Sequence, residues 1–557
     1  MVLDVTSLFR LGVSRSGIGS DDTTGDAMKV FRALVIGALA TAAATFSFAD
    51  IAQAQQKNTL RVVMHTGLRA IDPFITSAYI ARDYGYLVYD TLFSTDEALK
   101  VQPQMVEKYE ASADKLVWTF TLRSGLKFHD GAPVTTADVI SSLTRWGKVD
   151  SMGQTLFTFV KELKAVDQNT FQIVLSEPYG LVLESLGKQS SNVPFIMPKR
   201  VADTPATQAI TETIGSGPFR LLNDEWRPGV KAAFEKFADY KPRSEPPSGL
   251  AGGKVAKVDR VEWVVIGDPQ TTMNALLRNE IDVWEMPPHD LLPALKADRN
   301  LVVKDRNPLA HVSLLRFNSA QPPFNNPKLR EVVLNAIYQD DYLLAQVGDK
   351  EYYKTCAAIF GCSAPYESDK GAVHLKKPDI NKAKQMLKDA GYKGEKVVIL
   401  QPTDVAIVAP LGPVTAQALR NIGMNVDLQT MDWLTMLQRR TNTGPVEQGG
   451  WSIFHTAQAV ADLMNPTSNN YIRGKGVNDG GFFGWPEDAE MERLRAAFAR
   501  ETDPAKQKAL AQAAHDRAYE RLPYIPLGLY IQPPAYRKNV SGWVQAPAMV
   551  FWNVEKK

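Results

Sequence analysis

This sequence is long enough for several domains and has an ordinary globular composition: of 557 residues, 45% are hydrophobic, 22% charged and 9% aromatic. Lysine and arginine number 63 against 61 acidic residues, which gives a net charge of +2, and there are two cysteines. Disordered, collagen-like and coiled-coil structures are therefore excluded, as is a disulfide-rich scaffold, and the charge gives no argument for nucleic acid or an acidic lipid surface as a partner.

Residues 28–54 have the features of a cleaved signal peptide. The basic residues Lys29 and Arg32 precede the apolar run 33–48, and the small-x-small motif Ala-Gln-Ala at 52–54 is a cleavage site. The alternative is a membrane anchor, but this run is shorter than the roughly 20 apolar residues that span a bilayer. We therefore predict export to the periplasm.

Two further features of the chain bear on this export. Residues 1–27 precede a natural start at Met28, and we interpret them as the product of an upstream start. No cysteine follows the apolar run, so no lipid anchor is expected. An oxidising compartment permits a disulfide, and Cys356 and Cys362 have the spacing of a small structural loop rather than of a redox C-x-x-C pair.

Strand and helix patterns alternate along the remaining chain. Thr135 and Asp138 form a capping box, and Asp268-Pro269 is an N-cap followed by a proline at the first helical position. In the first half we predict strands at 60–64, 116–122 and 258–266, and helices after Thr135 and Asp268. In the second half we predict helices from Pro327 and at 380–390 and 414–422, two helices within 487–521, and strands at 396–400 and 424–428. This alternation is typical of α/β domains.

The sequence contains no recognisable catalytic or metal-binding motif. Nucleophile-elbow, P-loop, dinucleotide-binding and H-E-x-x-H patterns are missing, and no histidine pair has helical metal-ligand spacing. Ser216 in Gly-Ser-Gly-Pro fits a turn into a strand, and His129-Asp130 fits a structural turn. We therefore predict no catalytic residues, no metal ligands and no cofactor.

Several segments resemble one known family. Residues 122–139 resemble the signature of the extracytoplasmic solute-binding family 5, the periplasmic dipeptide- and oligopeptide-binding proteins of ABC importers. Further matches follow in the expected order at 215–219, 261–283, 316–318, 323–324, 329–330 and 522–526. The resemblance covers nearly all of residues 58–557.

This resemblance implies a class II periplasmic binding protein, an α/β fold in which two lobes close about a hinge beside an extra domain. The implied domain I consists of residues 55–95, 210–310 and 522–557, domain II of 96–209, and domain III of 311–521. The signature segment then lies in domain II, so His129 and Asp130 are expected to be structural.

The resemblance also implies ligand-binding residues. Peptide binders of this family carry a tryptophan and, shortly after it, an Asp-x-x-Asp-Pro segment whose first aspartate pairs with the peptide ammonium. Trp451 and Asp462 match these positions, although Asn465 replaces the second acid and residues 452–461 form an insert between them. We expect this insert, with Phe454 and His455, to reshape the pocket. Ser77 and Tyr79 are expected to contact the ligand from domain I.

The resemblance therefore implies a monomeric periplasmic protein that captures a di- to oligopeptide and delivers it to an inner-membrane ABC permease with its ATPase subunits. It implies neither catalysis nor a cofactor. Within the family, an oligosaccharide, an opine, glutathione or a metal chelate are alternative ligands. From other classes, an exported hydrolase or a protein that presents ligand to a chemoreceptor remain alternatives.

Overall fold

The computed structural model describes residues 58–557, so the predicted signal peptide and the upstream segment lie outside the described residues. Two mixed β-sheets with helices against them and a smaller antiparallel sheet make up this part of the chain. Within it, no helix combines the length and the apolar character needed to cross a membrane.

The first sheet has seven strands and contains the first strand of the described chain at its centre. That strand, β1, lies parallel to both of its neighbours, whereas the outer strands pair antiparallel. In spatial order the strands are β10 (Phe219–Leu221), β11 (Lys231–Lys236), β12 (Arg260–Val264), β1 (Thr59–Val63), β13 (Val283–Trp284), β21 (Ala535–Arg537) and β14 (Leu301–Val303). We call the part of the molecule built on this sheet the first lobe.

The second sheet has six strands, and we call the part built on it the second lobe. Its parallel strands β17, β18 and β19 lie at one side, and β15 pairs antiparallel with β19 and β20. In spatial order the strands are β16 (Tyr353–Lys354), β20 (Tyr524–Tyr530), β15 (His311–Phe317), β19 (Ile453–Ala459), β17 (Lys396–Pro402) and β18 (Asn425–Met431).

This sheet bears on two expectations, one about the insert and one about the last segment of domain I. The insert 452–461 is largely a strand, because β19 fills most of it and pairs along its whole length with β15, and its effect on the pocket stays a prediction. The predicted domain I segment 522–557 is divided, since β20 lies in the second sheet and only the chain from β21 onward returns to the first. Both strands are buried along nearly their whole length, as central strands of a covered sheet are, and the other predicted domain limits remain predictions.

The chain passes between the two sheets twice. The first passage connects β14 to β15 through residues 304–310, and the second connects β20 to β21 through residues 531–534. Both are short segments that connect a strand of one sheet to a strand of the other, which is the arrangement that domain hinges require.

The smaller sheet consists of four antiparallel strands, and short strand pairs accompany it. The four strands are, in spatial order, β5 (Val106–Ala111), β6 (Val117–Leu122), β8 (Thr170–Leu175) and β7 (Val160–Ala165). The short pairs are β2 (Asp90–Thr91) with β9 (Phe195–Ile196), β3 (Phe93–Thr95) with β4 (Val101–Pro103), and β22 (Val540–Ser541) with β23 (Glu555–Lys556).

The helices begin largely where the sequence predicts them. The Thr135 amide donates to Asp138 Oδ2 at 2.8 Å, and Asp268 accepts from the Thr271 amide at 2.7 Å. The α-helices are α1 (Tyr79–Val88), α2 (Thr136–Val149), α3 (Ser151–Phe159), α4 (Val182–Leu186), α5 (Lys199–Ala202), α6 (Pro269–Leu277), α7 (Leu292–Ala297), α8 (Pro327–Ala336), α9 (Gln339–Gln346), α10 (Ile380–Asp389), α11 (Leu411–Ile422), α12 (Trp433–Arg439), α13 (Ala489–Arg500) and α14 (Pro504–Arg521).

The polar motifs of the sequence have structural contacts. His129 is buried, its Nδ1 accepts from the Gly215 amide, and its Nε2 lies 3.1 Å from the Gly217 carbonyl oxygen. The Ser216 hydroxyl is buried and donates to the carbonyl oxygen of Ile196 at 2.8 Å. Cys356 and Cys362 form a disulfide.

Candidate functional site

Asp462 lies where the two lobes meet. It ends a short 3-10 turn directly after β19, and its side chain is buried, with 8% of the residue exposed. Its Oδ2 accepts hydrogen bonds from the Tyr79 hydroxyl at 2.8 Å and the Ser190 hydroxyl at 3.2 Å. Its Oδ1 is buried and has no hydrogen-bond partner among residues 58–557. One oxygen of this carboxylate therefore lacks a donor.

Tyr79 reaches this carboxylate from the first lobe. It is the first residue of α1, which packs against β10. Besides donating to Asp462, its hydroxyl lies 3.2 Å from Gln458 Oε1 and accepts from the Ala459 amide at 2.7 Å. Burial, and then the negative charge of Asp462, raises the pKa of Tyr79 well above its usual value, so the hydroxyl keeps its proton and can donate it. This hydroxyl therefore links the first lobe to β19.

Arg82 places a positive charge beside this contact, almost one helical turn after Tyr79. Its guanidinium lies 4.4 Å from the centroid of the Tyr79 ring and donates to the Ser190 hydroxyl oxygen at 3.0 Å. Burial lowers the pKa of Arg82, but the negative charges of Asp83 and Asp462 and the hydrogen bond to Asp83 outweigh burial and raise it overall. A continuous polar chain thus runs from Arg82 through Ser190 to Asp462.

A second polar group lies at the carboxyl ends of two parallel strands. His65 follows β1 and Glu285 follows β13, and His65 Nδ1 is 2.8 Å from Glu285 Oε2. Asp83 of α1 is fully buried, and its Oδ1 accepts from Arg82 Nε at 2.8 Å. Burial is the main cause that raises the pKa of Asp83 to about 6. In open α/β sheets, this strand edge is where ligands bind.

Of the predicted site residues, Tyr79 and Asp462 form a hydrogen bond with each other between the two lobes. Trp451 is fully buried, donates from Nε1 to the Arg440 carbonyl oxygen at 3.1 Å, and packs on Phe454 with ring centroids 5.0 Å apart. His455 is also fully buried, with Nε2 2.7 Å from the Thr415 hydroxyl oxygen, and burial lowers its pKa to about 3. Trp451, Phe454 and His455 thus make core contacts of the second lobe, and Ser77 is exposed.

Sequence reasoning missed Ser190, Arg82 and Gln458. Ser190 lies on an irregular segment between α4 and β9 and is brought to Asp462 only by the tertiary fold. Arg82 carried a detectable signal, because it follows Tyr79 at helical i+3 spacing and therefore lies on the same face of α1. Gln458 lies three residues after His455 in β19, and the sequence pattern of this segment does not identify it as a strand.

The arrangement is suited to binding a cation. Burial of a carboxylate costs free energy unless its oxygens accept hydrogen bonds. Asp462 accepts two hydrogen bonds from Tyr79 and Ser190, and both are at Oδ2. An ammonium group has three N–H donors, and a charged hydrogen bond of this type is among the stronger ones in proteins.

The molecule has two mixed sheets that two short passages connect, a buried polar contact between the two lobes, and a further antiparallel sheet. These features define a two-lobed α/β binding protein with an extra domain. The model of the bacterial extracellular solute-binding proteins, family 5 Middle, matches residues 100–478. The chain belongs to this family, which confirms the resemblance of its sequence motifs.

Named relatives agree with this assignment. The chain is 39% identical over 501 residues to the "Probable peptide ABC transporter periplasmic-binding protein" of Sinorhizobium fredii (strain NBRC 101917 / NGR234), covering 89% of this chain and 93% of the relative. Among solved structures, the PBP AgaA from A. tumefaciens R10 in complex with agropinic acid has a TM-score of 0.75 at 21% identity, covering 90% and 99% of the two chains. The Helicobacter pylori DppA in complex with the peptide STSA has a TM-score of 0.75 at 22% identity, with the same coverage. At these identities the two structures establish the fold alone.

Proposed function

We propose that this protein binds short peptides with a free amino terminus in the periplasm and delivers them to an ABC permease of the inner membrane. The observation that carries the proposal is the Asp462 carboxylate, which is buried between the lobes and has an Oδ1 without a donor among the described residues. A peptide ammonium supplies that donor together with the compensating charge. The name of the S. fredii relative supports a peptide as the substrate class.

Tyr79 and Ser190 hold this carboxylate in place for the ligand. Their hydroxyls both donate to Oδ2, which fixes the carboxylate plane and leaves Oδ1 for the ammonium. Because Tyr79 belongs to the first lobe and Asp462 to the second, the same contact joins lobe closure to ligand binding. The rest of an extended peptide would pair through its backbone, a mode that tolerates varied side chains.

The proposal includes the coarser properties of such a carrier. The protein acts by binding and release without turnover, so it needs neither catalytic residues nor a cofactor. Its signal peptide at 28–54 is removed on export, it carries no lipid anchor, and it acts as a monomer beside a permease and its ATPase subunits. Family membership supports a location outside the cytoplasm.

The test is ligand binding by the refolded, ligand-stripped protein. Thermal unfolding is measured with di- to pentapeptides, their N-acetylated forms, glutathione, agropinic acid and oligosaccharides. A ligand present at 100 times its Kd stabilises the folded state by about 2.7 kcal/mol. We expect free-amine peptides to stabilise the protein and acetylated peptides to fail.

Substitution of Asp462 tests the site itself. Loss of a charge-assisted hydrogen bond of about 1.5–3 kcal/mol predicts that Asp462→Asn raises the peptide Kd by roughly 10- to 100-fold. Asp369→Asn, which changes an exposed acid of the second lobe, is the matched control and should keep the Kd of the parent protein. An unchanged Kd in Asp462→Asn removes the site assignment, and stabilisation by a non-peptide solute alone changes the substrate class. Mass-spectrometric detection of cleaved peptide would instead identify a hydrolase.

A further inference from the structure

Three potential metal ligands converge at one edge of the first sheet. β1 and β13 are parallel neighbours, with Val63 opposite Trp284, so the residues that follow these strands come together. One ligand atom each from His65, Asp83 and Glu285 lies within 4.8 Å of the other two. All three residues follow strands of the first lobe or lie in α1, and their arrangement does not depend on the second lobe.

The spacing of these atoms is close to that around a metal ion. Ligand atoms at about 2.0–2.2 Å from one ion lie roughly 3–4 Å from one another. His65 Nδ1 and Glu285 Oε2 are 2.8 Å apart and would separate slightly around an ion, and the Asp83 ligand atom lies within 4.8 Å of both. One imidazole and two carboxylates suit zinc and its neighbours among the divalent transition metals.

A buried oxygen without a hydrogen-bond partner is a second, independent observation at this cluster. Asp83 is 0% exposed, and its Oδ2 has no hydrogen-bond partner within the described part of the chain. Buried carboxylate oxygens are normally paired, so this atom is unusual. Arg82 forms its ion pair through Oδ1 and compensates only one of the two carboxylates. Coordination requires a neutral imidazole, and in that form the group of His65, Arg82, Asp83 and Glu285 has a net charge of −1, which favours a cation.

We propose that His65, Asp83 and Glu285 bind one divalent transition-metal ion of the Zn²⁺, Co²⁺ and Ni²⁺ class. His65 Nδ1 exchanges its hydrogen bond to Glu285 for coordination, and the ring then carries its proton on Nε2. Asp83 coordinates through Oδ2 and keeps its ion pair with Arg82 through Oδ1. The His65 side chain is 21% exposed, which provides a route of entry, and water fills the remaining coordination positions.

Metal titration of the EDTA-stripped full-length protein, purified without a polyhistidine tag, tests this site. Isothermal titration with Zn²⁺ and the visible absorption of Co²⁺ should both give one ion per chain. We expect His65→Gln and Asp83→Asn, which keep side-chain size and hydrogen-bonding capacity, each to weaken binding at least tenfold. His289→Gln and Glu280→Gln change a histidine and an acid elsewhere in the first lobe, and they should leave the affinity unchanged. Circular dichroism establishes that each variant is folded.

Two results would overturn the proposal. The first is the absence of saturable binding of Zn²⁺ and Co²⁺ by the parent protein. The second is binding by His65→Gln and Asp83→Asn that matches the two control variants. Peptide binding is measured separately in EDTA, so failure of the metal site and failure of the peptide proposal are distinguishable.

Discussion

Replacement of Tyr79 by phenylalanine removes one oxygen atom from the contact between the lobes. That hydroxyl donates to Asp462 Oδ2 at 2.8 Å and accepts from the Ala459 amide at 2.7 Å, while the ring remains available to stack on Arg82. The substitution therefore changes hydrogen bonding with little change in packing. It tests whether Tyr79 orients the Asp462 carboxylate for a ligand.

The expected magnitude follows from the type of hydrogen bond. A hydrogen bond from a buried hydroxyl to an ionised carboxylate contributes about 1.5–3 kcal/mol. Asp462 keeps its contact with Ser190, at 3.2 Å, so the carboxylate stays in place but is held on one side only. We expect Tyr79→Phe to raise the Kd for a free-amine peptide by roughly 10- to 100-fold.

Isothermal titration on a double-mutant cycle is the decisive assay. Since Tyr79 acts through the Asp462 carboxylate, Tyr79→Phe should have little additional effect in the Asp462→Asn background, and the two effects should be non-additive. Tyr109→Phe, at an exposed tyrosine of the four-stranded sheet, should leave the Kd unchanged. Fully additive effects, or a change in Kd below about threefold for Tyr79→Phe alone, would refute this reasoning.

The remaining predictions concern stability. Arg145 and Asp72 form a fully buried ion pair with two hydrogen bonds of 2.6 and 3.0 Å. Arg145→Met breaks this pair and should lower the free energy of unfolding by about 3–5 kcal/mol. A loss below about 1 kcal/mol in urea titration would contradict this expectation. Reduction of the Cys356–Cys362 disulfide opens a short loop and should lower the free energy of unfolding by about 2 kcal/mol. Thermal unfolding with and without reductant measures this change, and an unchanged midpoint temperature would contradict the expectation. Burial lowers the pKa of His455 in the folded protein to about 3, below its unfolded value of about 6.5. As the pH falls below about 6.5, the unfolded chain binds a proton that the folded protein does not, so the free energy of unfolding decreases by about 1.4 kcal/mol per pH unit. His455→Gln should therefore show a shallower loss of stability between pH 6.5 and 4, and an identical slope would show that this histidine does not titrate as expected.

Local features of the fold were predictable because their causes are local. The capping box of Thr135 and Asp138, and the cap formed by Asp268, depend on residues within one helical turn, so the helix starts follow from the sequence. Strand β19 was not predicted, because its burial comes from pairing with β15, about 140 residues away along the chain. A continuous buried strand lacks the alternation that identifies half-exposed strands.

The sequence by itself determined the alternating α/β elements and the motifs of the family, and its motif singled out Asp462 as a candidate ligand-binding residue. Only the tertiary structure decided which groups face that carboxylate, because Tyr79 and Ser190 are separated from it by 383 and 272 residues. It also decided that Trp451, Phe454 and His455 make core contacts of the second lobe, and that His65, Asp83 and Glu285 lie close together. Burial and hydrogen-bond partners are set by contacts between distant segments, so residue type and spacing alone do not specify them.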